Sequence, residues 1–476
     1  MPSTITTPPE TQITEITRLF ALQQKNQFQV GNTTVRQRIA KLKNLHQVFL
    51  KYRPAIKEAL YNDFRKHPSE VDLTEIYPVT SEIKHVKSSL RKWMNEQHVD
   101  TPLAMLGSSS YIKHEPKGVV LIVSPWNFPI NLTICPLISA IAAGNTVILK
   151  PSEHTPHTSA LMKQMISEIF NENEVALVEG GIQTSSALLE LPFNHIFFTG
   201  APSIGKIVMT AAAKHLTSVT LELGGKSPTI IDETASIDTA ARRTAWGKFV
   251  NNGQICIAPD YIFVHESKKQ EFLDAVKKFL HDFYTENAAE EPSYARMVNK
   301  RHYKRVKSYV DDAVKKGAVV EVGGEFDESQ NYIAPTVMTK VPKDSTLMTE
   351  EIFGPVLPVF GFTNIDEVLT EINAKEKPLA LYIYSRKKKN IQHILNNTRA
   401  GGTCINHTGV HFYNNDLPFG GSNNSGIGKG HGWYGFQAFS NPRGVLNQHV
   451  PNALDLLLPP YNNFKQRLID LTIKWF

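Results

Sequence analysis

Three polar side chains in this sequence stand where chemistry is feasible. The run Asn252-Gly253-Gln254-Ile255-Cys256-Ile257-Ala258-Pro259 sets a thiol in a small, turn-prone stretch after a helical run over 240–249, where backbone can approach a ligand closely. A free thiol ionises near about 8.5 and only its thiolate is reactive, so a nucleophilic role requires donors or positive dipoles around it. On its own such a cysteine is more often a buried small hydrophobe, which is how Cys135, inside the apolar stretch 132–141, and Cys404 read. In Leu221-Glu222-Leu223-Gly224-Gly225-Lys226-Ser227-Pro228 a carboxylate ends an apolar strand against a Gly-Gly corner. Buried there, Glu222 is a base of raised pKa; paired with Lys226 or solvated, it is only a strand-end charge. In Ser124-Pro125-Trp126-Asn127-Phe128-Pro129 a strand over 119–123 breaks into a stiff loop that holds an amide between aromatics. Asn127 there can donate to an oxyanion, or else satisfy the backbone of its own turn.

A second group suits a dinucleotide. After a strand over 195–198 comes Thr199-Gly200-Ala201-Pro202-Ser203-Ile204-Gly205-Lys206, whose glycines permit close backbone approach and whose Ser203 can donate to a phosphate. The spacing departs from the usual G-x-G-x-x-G and by itself marks no more than a strand-to-helix turn. Lys150-Pro151-Ser152-Glu153 follows a strand over 146–149, and Glu350-Glu351-Ile352-Phe353-Gly354-Pro355 puts two carboxylates before an aromatic residue.

The elements that must position these residues follow from pattern and length. A chain of 476 residues exceeds what one hydrophobic core sustains, so two or more domains are required. With 41% hydrophobic and 20% charged residues the composition is that of an ordinary globular protein. Apolar residues at three- and four-residue steps predict several amphipathic helices over 13–98. From residue 111 short β-rich runs alternate with helical ones, at 119–123, 146–149, 195–198 and 219–223, then at 229–231, 262–264, 319–320, 356–360, 380–384 and 402–405. That alternation predicts an α/β fold with two doubly wound parallel sheets, divided at Gly224-Gly225.

The charge of +6 is spread along the chain, and its densest run, Arg386-Lys387-Lys388-Lys389, reads as a solvated helix start; no aromatics interleave it, so no nucleic-acid partner is expected. Three separated cysteines exclude a disulfide scaffold and a cysteine zinc site, and no metal is expected. With no signal-like or spanning segment, the expected location is cytoplasmic. The tail 459–476 carries Phe464, Leu468, Leu471 and Trp475 on one helical stripe. It packs on this protein or its twin subunit, or else touches a membrane surface peripherally.

Taken in order, these segments closely resemble the aldehyde dehydrogenase superfamily over residues 111–444. The late segment 417–428, His431-Gly432-Trp433-Tyr434-Gly435-Phe436 and Ile257-Ala258-Pro259-Asp260-Tyr261 look most like its class 3 branch of fatty and aromatic aldehyde dehydrogenases. The resemblance implies an atypical Rossmann cofactor domain over 13–224 after a disordered lead (1–12), and a catalytic domain over 225–430. It also implies an oligomerisation arm from 431–458 with a contribution from 95–117, in a homodimer. Cys256 is then the nucleophile, Asn127 and the Cys256 N–H hold the oxyanion, and Glu222 activates the water that hydrolyses a thioester.

Trp126, Lys150, Glu153, Gly200, Ser203, Gly205, Glu351 and Phe353 map onto cofactor positions, with Lys150 and Glu153 on the adenosine ribose, Glu351 on the nicotinamide ribose and Phe353 on its ring. Glu153 should repel a 2′-phosphate, which favours NAD, although several members of the branch take NADP as well. Tyr77, Phe128, Trp246, Ile255, Ile257 and Phe419 are expected to flank the substrate, and their apolar character predicts a hydrophobic aliphatic or aromatic aldehyde. A coenzyme A-dependent acylating enzyme and a catalytically silent protein on the same fold are the alternatives.

Overall fold

The computed structural model describes residues 8–450 and 453–475. Its first sheet has the order Gly426–Ile427, Ser218–Leu223, His195–Gly200, Val119–Val123, Thr146–Lys150, Val175–Leu177. All neighbours are parallel except Gly426–Ile427, which returns from far along the chain to pair antiparallel with the strand that carries Glu222. The central strand is apolar throughout because both its faces are covered. Val120 and Ile122 pack with helices Val35–Lys51, Tyr77–Met94 and Asn131–Ala143, while Val119 and Leu121 face helices Ile13–Gly31 and Pro202–Ala213. Alternation along a strand sends successive side chains to opposite layers.

The second sheet runs Val319–Val322, Thr336–Thr339, Val356–Phe362, Tyr261–His265, Pro228–Ile231, Ala380–Tyr384, Gly402–Ile405, with only the first strand antiparallel. Helices Ile237–Phe249 and Lys269–Tyr284 cover one face, and Lys300–Lys315, Ile365–Asn373 and Lys388–Asn397 the other. Two doubly wound sheets are thus what the chain forms, each with one antiparallel edge. Gly224-Gly225 joins the last parallel strand of one sheet to the first of the next.

A third, antiparallel sheet joins Gln97–Val99, Ser108–Pro116 and Ser440–Gln448, drawing on both spans expected of an arm. The start of the later span does something else: helix Gly432–Ala438 packs Trp433 and Phe436 against Trp93, inside the first domain's core. Part of the lead is ordered. Glu10 Oε2 accepts from the backbone N–H of Gly181 (3.0 Å) and Thr184 (2.8 Å), and the Thr11 N–H donates to the Glu179 carbonyl (3.2 Å). Residues 1–7 of that expected lead lie outside the described residues.

The basic run 386–389 is exposed at the start of Lys388–Asn397. The tail forms the helix Asn463–Trp475; on its stripe Leu468 is half-buried, whereas Phe464, Leu471 and Trp475 are 68%, 55% and 68% exposed among the described residues. No helix among the described residues is long and apolar enough to cross a membrane.

Candidate active site

The cysteine loop is built on a backbone that most residues avoid. Helix Ile237–Phe249 runs into a turn in which Asn251, Asn252 and Gly253 take φ of 51°, 56° and 71°. Asn tolerates this left-handed region, and side-chain bonds fix it here. Asn251 Nδ2 donates to the Asn127 carbonyl (2.9 Å) and Asn252 Nδ2 to the Ala295 carbonyl (3.2 Å). Gln254 Nε2 donates to the Arg296 carbonyl (3.0 Å) while its Oε1 accepts from the Val298 N–H (3.0 Å). At Gly253 any Cβ would collide with the Gly354 carbonyl, so only glycine serves.

Cys256 emerges from this clamp half-buried. Burial pushes its thiol up, Glu351 and Glu222 push further, and the N–H groups of Cys256 and Ile257 oppose them. The resting group is a neutral thiol.

Asn127 comes to the same place from the end of Val119–Val123. Its Nδ2 donates to the Gln254 carbonyl (3.0 Å), leaving the second N–H of the amide for a ligand. Its backbone carbonyl accepts from Asn251 and, at 3.4 Å, from the buried Lys66 ammonium, which also contacts Glu75 (3.4 Å). Glu75 Oε2 in turn accepts from the Asn131 N–H at 2.8 Å.

Glu222, at the end of its strand, is buried with both carboxyl oxygens unpartnered. Burial raises its pKa to about 8, against the pull of Lys429. The ordinary alternative, an ion pair with Lys226, is not formed. Lys226 bonds to Asp260 and to the carbonyls of Leu347 and Glu350 (both 2.7 Å).

Cys256, Asn127 and Glu222 line one cavity of about 1200 Å³. Phe128, Trp246, Ile255, Ile257 and Phe419 share its wall. Tyr77, expected with them, stands outside that cavity. It is 51% exposed at the start of helix Tyr77–Met94, over a shallow surface groove, and reaches the wall only through Tyr413, 5.8 Å away between ring centres.

Of the cofactor positions, Trp126, Gly200, Ser203, Glu351 and Phe353 line the same cavity; Lys150, Glu153 and Gly205 do not. Gly200 and Ser203 open the helix Pro202–Ala213, a helix N-terminus suited to phosphate. Gly205 instead packs on Leu223, where a side chain would separate helix from strand. Lys150, ending its strand, bonds Glu153 at 3.0 Å. Burial alone would raise Glu153, but Lys150 outweighs it and holds the carboxyl below its usual range.

Glu351 lies over Gly224-Gly225 and accepts the Gly225 N–H; burial first, then Asp260, raise it to about 8. A Cβ on Gly224 would run into that carboxylate, so the corner is shaped as a cradle. Phe353, at φ 44°, sets its ring edge-on to Trp126, 5.3 Å between centres. A helix N-terminus at Gly200–Ser203 and a carboxylate over glycines, along one cleft, suit a nicotinamide dinucleotide; the Lys150–Glu153 pair lies outside that cleft.

Several site residues carry no local signal. Arg305, from helix Lys300–Lys315, donates to the carbonyls of Ile352 (2.9 Å) and Phe353 (3.2 Å) and so holds the strained Phe353. Thr199 sits beside Glu222 in register, and Phe412, Tyr413 and His431 add to the wall. Lys429, directly after the segment 417–428, lies near Glu222, and no motif marks it.

The aldehyde dehydrogenase family model matches residues 2–445. The 4,4'-diaponeurosporen-aldehyde dehydrogenase of Staphylococcus aureus is 44% identical over 420 residues, 88% of this chain and 91% of that protein. Aldehyde dehydrogenase family 3 member A2 of Mus musculus is 41% identical over 426 residues, covering 89% and 87%. Among solved structures, the substrate-bound state of Staphylococcus aureus AldH superposes with a TM-score of 0.92 at 41% identity, over 96% of this chain and 99% of that one. The chain therefore belongs to the aldehyde dehydrogenase family, NAD(P)-dependent oxidoreductases of aldehydes, with class 3 members among its relatives.

Proposed function

We propose that this enzyme oxidises hydrophobic aliphatic or aromatic aldehydes to carboxylic acids through a thioester on Cys256, which water then cleaves. The observation that carries the reading is Glu222: a buried carboxyl with no protein partner, facing the same cavity as a thiol and an amide. Such a group is costly to bury, and a carboxyl of raised proton affinity in a cleft is the mark of a candidate base.

Cys256 gives up its thiol proton to solvent as Sγ adds to the aldehyde carbon, and the oxygen, now negative, is held by the free Asn127 N–H and the Cys256 N–H. Lys150, Glu153, Gly200, Ser203, Glu351, Phe353 and Trp126 would hold the cofactor, which when bound would accept the hydride that the former aldehyde carbon loses as the C–O bond returns to a carbonyl and leaves a thioester. Glu222 then takes a proton from water as its oxygen bonds the thioester carbon; the C–S bond breaks and Cys256 leaves as thiolate.

The apolar wall supports a hydrophobic substrate. Both arginines of the cavity work elsewhere: Arg305 on the carbonyls around Phe353, Arg301 beside His154 near the Lys150–Glu153 pair. Neither is offered to a second carboxylate. The Staphylococcus aureus relative is itself named for 4,4'-diaponeurosporen-aldehyde.

A homodimer in the cytoplasm belongs to the same proposal; the exposed Ile204, Ile207 and Met209 on one helix support the dimer. The test is a spectrophotometric screen of hexanal, benzaldehyde and succinic semialdehyde with NAD and NADP in parallel, with and without coenzyme A. Reduced cofactor should form fastest, by kcat/KM, with the first two and without coenzyme A. A preference for the semialdehyde overturns the substrate class, a coenzyme A requirement overturns hydrolysis, and no turnover with any aldehyde overturns the enzyme reading.

A further inference from the structure

Glu222 is flanked by a feature that the reaction as described does not use. The segment between Phe419 and Gly430 folds back over the strand Ser218–Leu223, pairing Gly426 with Glu222. A Cβ on Gly420 would lie 3.0 Å from Glu222 Oε1 and 3.1 Å from Lys429 Cδ, so carboxylate and lysine stem share one small space. Gly430, on the far side of the lysine, presents the same oxygen at 3.4 Å from its own would-be Cβ. The Lys429 ammonium is fixed: it donates to the carbonyls of Gly420, Gly421 (3.0 Å) and Gly401 (3.5 Å).

The other groups around Glu222 leave this charge unopposed. The cysteine loop offers the neutral Cys256 thiol, and the neighbouring strand His195–Gly200 offers Thr199 and Phe197. His431, the next titratable group along the wall, is pushed down to about 4 by burial and is neutral near pH 7. Glu351 bears on Cys256 across the cavity.

We propose that Lys429 is the positioning cation of the deacylation step, its stem packed beside the otherwise unpartnered Glu222 and its ammonium held on three carbonyls, so that the anionic form able to take a proton from water is favoured over the protonated one. The lysine neither gives nor takes a proton. The water proton goes to Glu222, the water oxygen to the thioester carbon, and the electron pair of the C–S bond to Cys256. Burial lowers the affinity of Lys429 itself for its proton, while Glu222 raises it, so the two charges support each other.

The inference rests on Glu222 as the base, and the experiment separates the two. Stopped-flow formation of reduced cofactor with hexanal gives a burst for acylation and a steady state for hydrolysis, read from pH 6 to 10 in wild type and in Lys429→Met, Lys429→Gln, Lys429→Arg and Glu222→Gln. Lys429→Gln keeps a donor for the carbonyls but no charge, and so guards against a fold defect in Lys429→Met. Both neutral variants should move the midpoint of the steady-state limb about one pH unit upward, which is about tenfold less hydrolysis at pH 7. Their bursts should be unchanged, and Lys429→Arg should restore the wild-type midpoint. A uniform fall in rate with an unmoved midpoint in Lys429→Gln would show a structural staple only and overturn the proposal. Undiminished turnover by Glu222→Gln overturns the base assignment instead.

Discussion

Hydrolysis by this enzyme should be steeply pH-dependent where an ordinary glutamate would make it flat. Burial places the Glu222 carboxyl at about 8, against 4.5 for an unperturbed one. Only the anion can take a proton from water, and with a pKa of about 8 the ionised fraction is about one-tenth at pH 7 and about nine-tenths at pH 9. The steady-state rate with an aldehyde that shows a burst should therefore climb roughly tenfold across that interval, and level off above it. A fully exposed carboxylate would be ionised throughout and give no slope.

The same shift has a stability signature whose sign can be worked out. Between 4.5 and about 8 the folded protein holds a proton that the unfolded chain has released, so stability contributed by this group is present below 4.5 and is lost as pH rises towards 8. Glu222→Gln removes the liability and should raise Tm more at pH 9 than at pH 5, by the equivalent of a few kcal/mol at most, of order 1–4. Pre-steady-state fluorescence of reduced cofactor and scanning calorimetry at the two pH values supply the measurements. A steady-state rate flat from pH 6 to 9 would refute the reasoning, as would a Glu222→Gln variant whose Tm gain did not depend on pH.

Other perturbations are expected to act on single parts of the machine. Cys256→Ala should abolish formation of reduced cofactor while quenching of protein fluorescence on NAD binding persists; residual turnover above background would remove the cysteine from the reaction. Gly253→Ala forces a Cβ into the Gly354 carbonyl at φ 71° and should cost about 1–3 kcal/mol of stability and most of the burst rate, read by Tm and stopped flow; a wild-type Tm would contradict the packing. Deleting residues 459–476 removes a helix whose apolar stripe is exposed, so the Tm of the subunit should move by less than about 2 °C; a larger loss would show the stripe is covered in solution.

Much of the fold was legible because buried parallel strands are written as apolar runs between breakers. Val119–Val123 lies where the run predicts it, bounded by Gly118 and Ser124-Pro125, and Ala380–Tyr384 and Gly402–Ile405 likewise. Where expectation stopped short, the extra residues were polar ones at carboxyl ends. Thr199-Gly200 are strand residues that do not look like strand because they face a ligand cleft, and Lys150 because its ammonium turns to Glu153. Gln97–Val99, Val175–Leu177 and Phe326–Asp327 are too short for any period to register.

In the site, Cys256, Glu222 and Asn127 each sit on a recognisable turn and each has a bland alternative that no single motif excludes. Only the structure removes the bland reading of Glu222, by giving Lys226 to Asp260. Glu10 reaches Gly181 and Thr184, Arg305 the carbonyls of Ile352 and Phe353, Tyr413 the ring of Tyr77 and Lys429 the neighbourhood of Glu222 across long stretches of chain, and nothing adjacent to them encodes those contacts. The tail is the converse case: its helix is in the pattern, but Phe464, Leu471 and Trp475 on its stripe are exposed.

The antiparallel edge at Gly426–Ile427 makes the order of synthesis matter. The strand bearing Glu222 is finished on one side by His195–Gly200 at once, but its other edge waits for a partner roughly 200 residues later, which at about 5–20 residues per second is about 10–40 s of translation. Through that interval the nascent first domain carries an unpaired edge with a buried-type carboxyl beside it, a template for mispairing. Completion of the second domain is then also completion of the first, so the two should melt as one unit, and a fragment ending at the Gly224-Gly225 corner should be prone to aggregate.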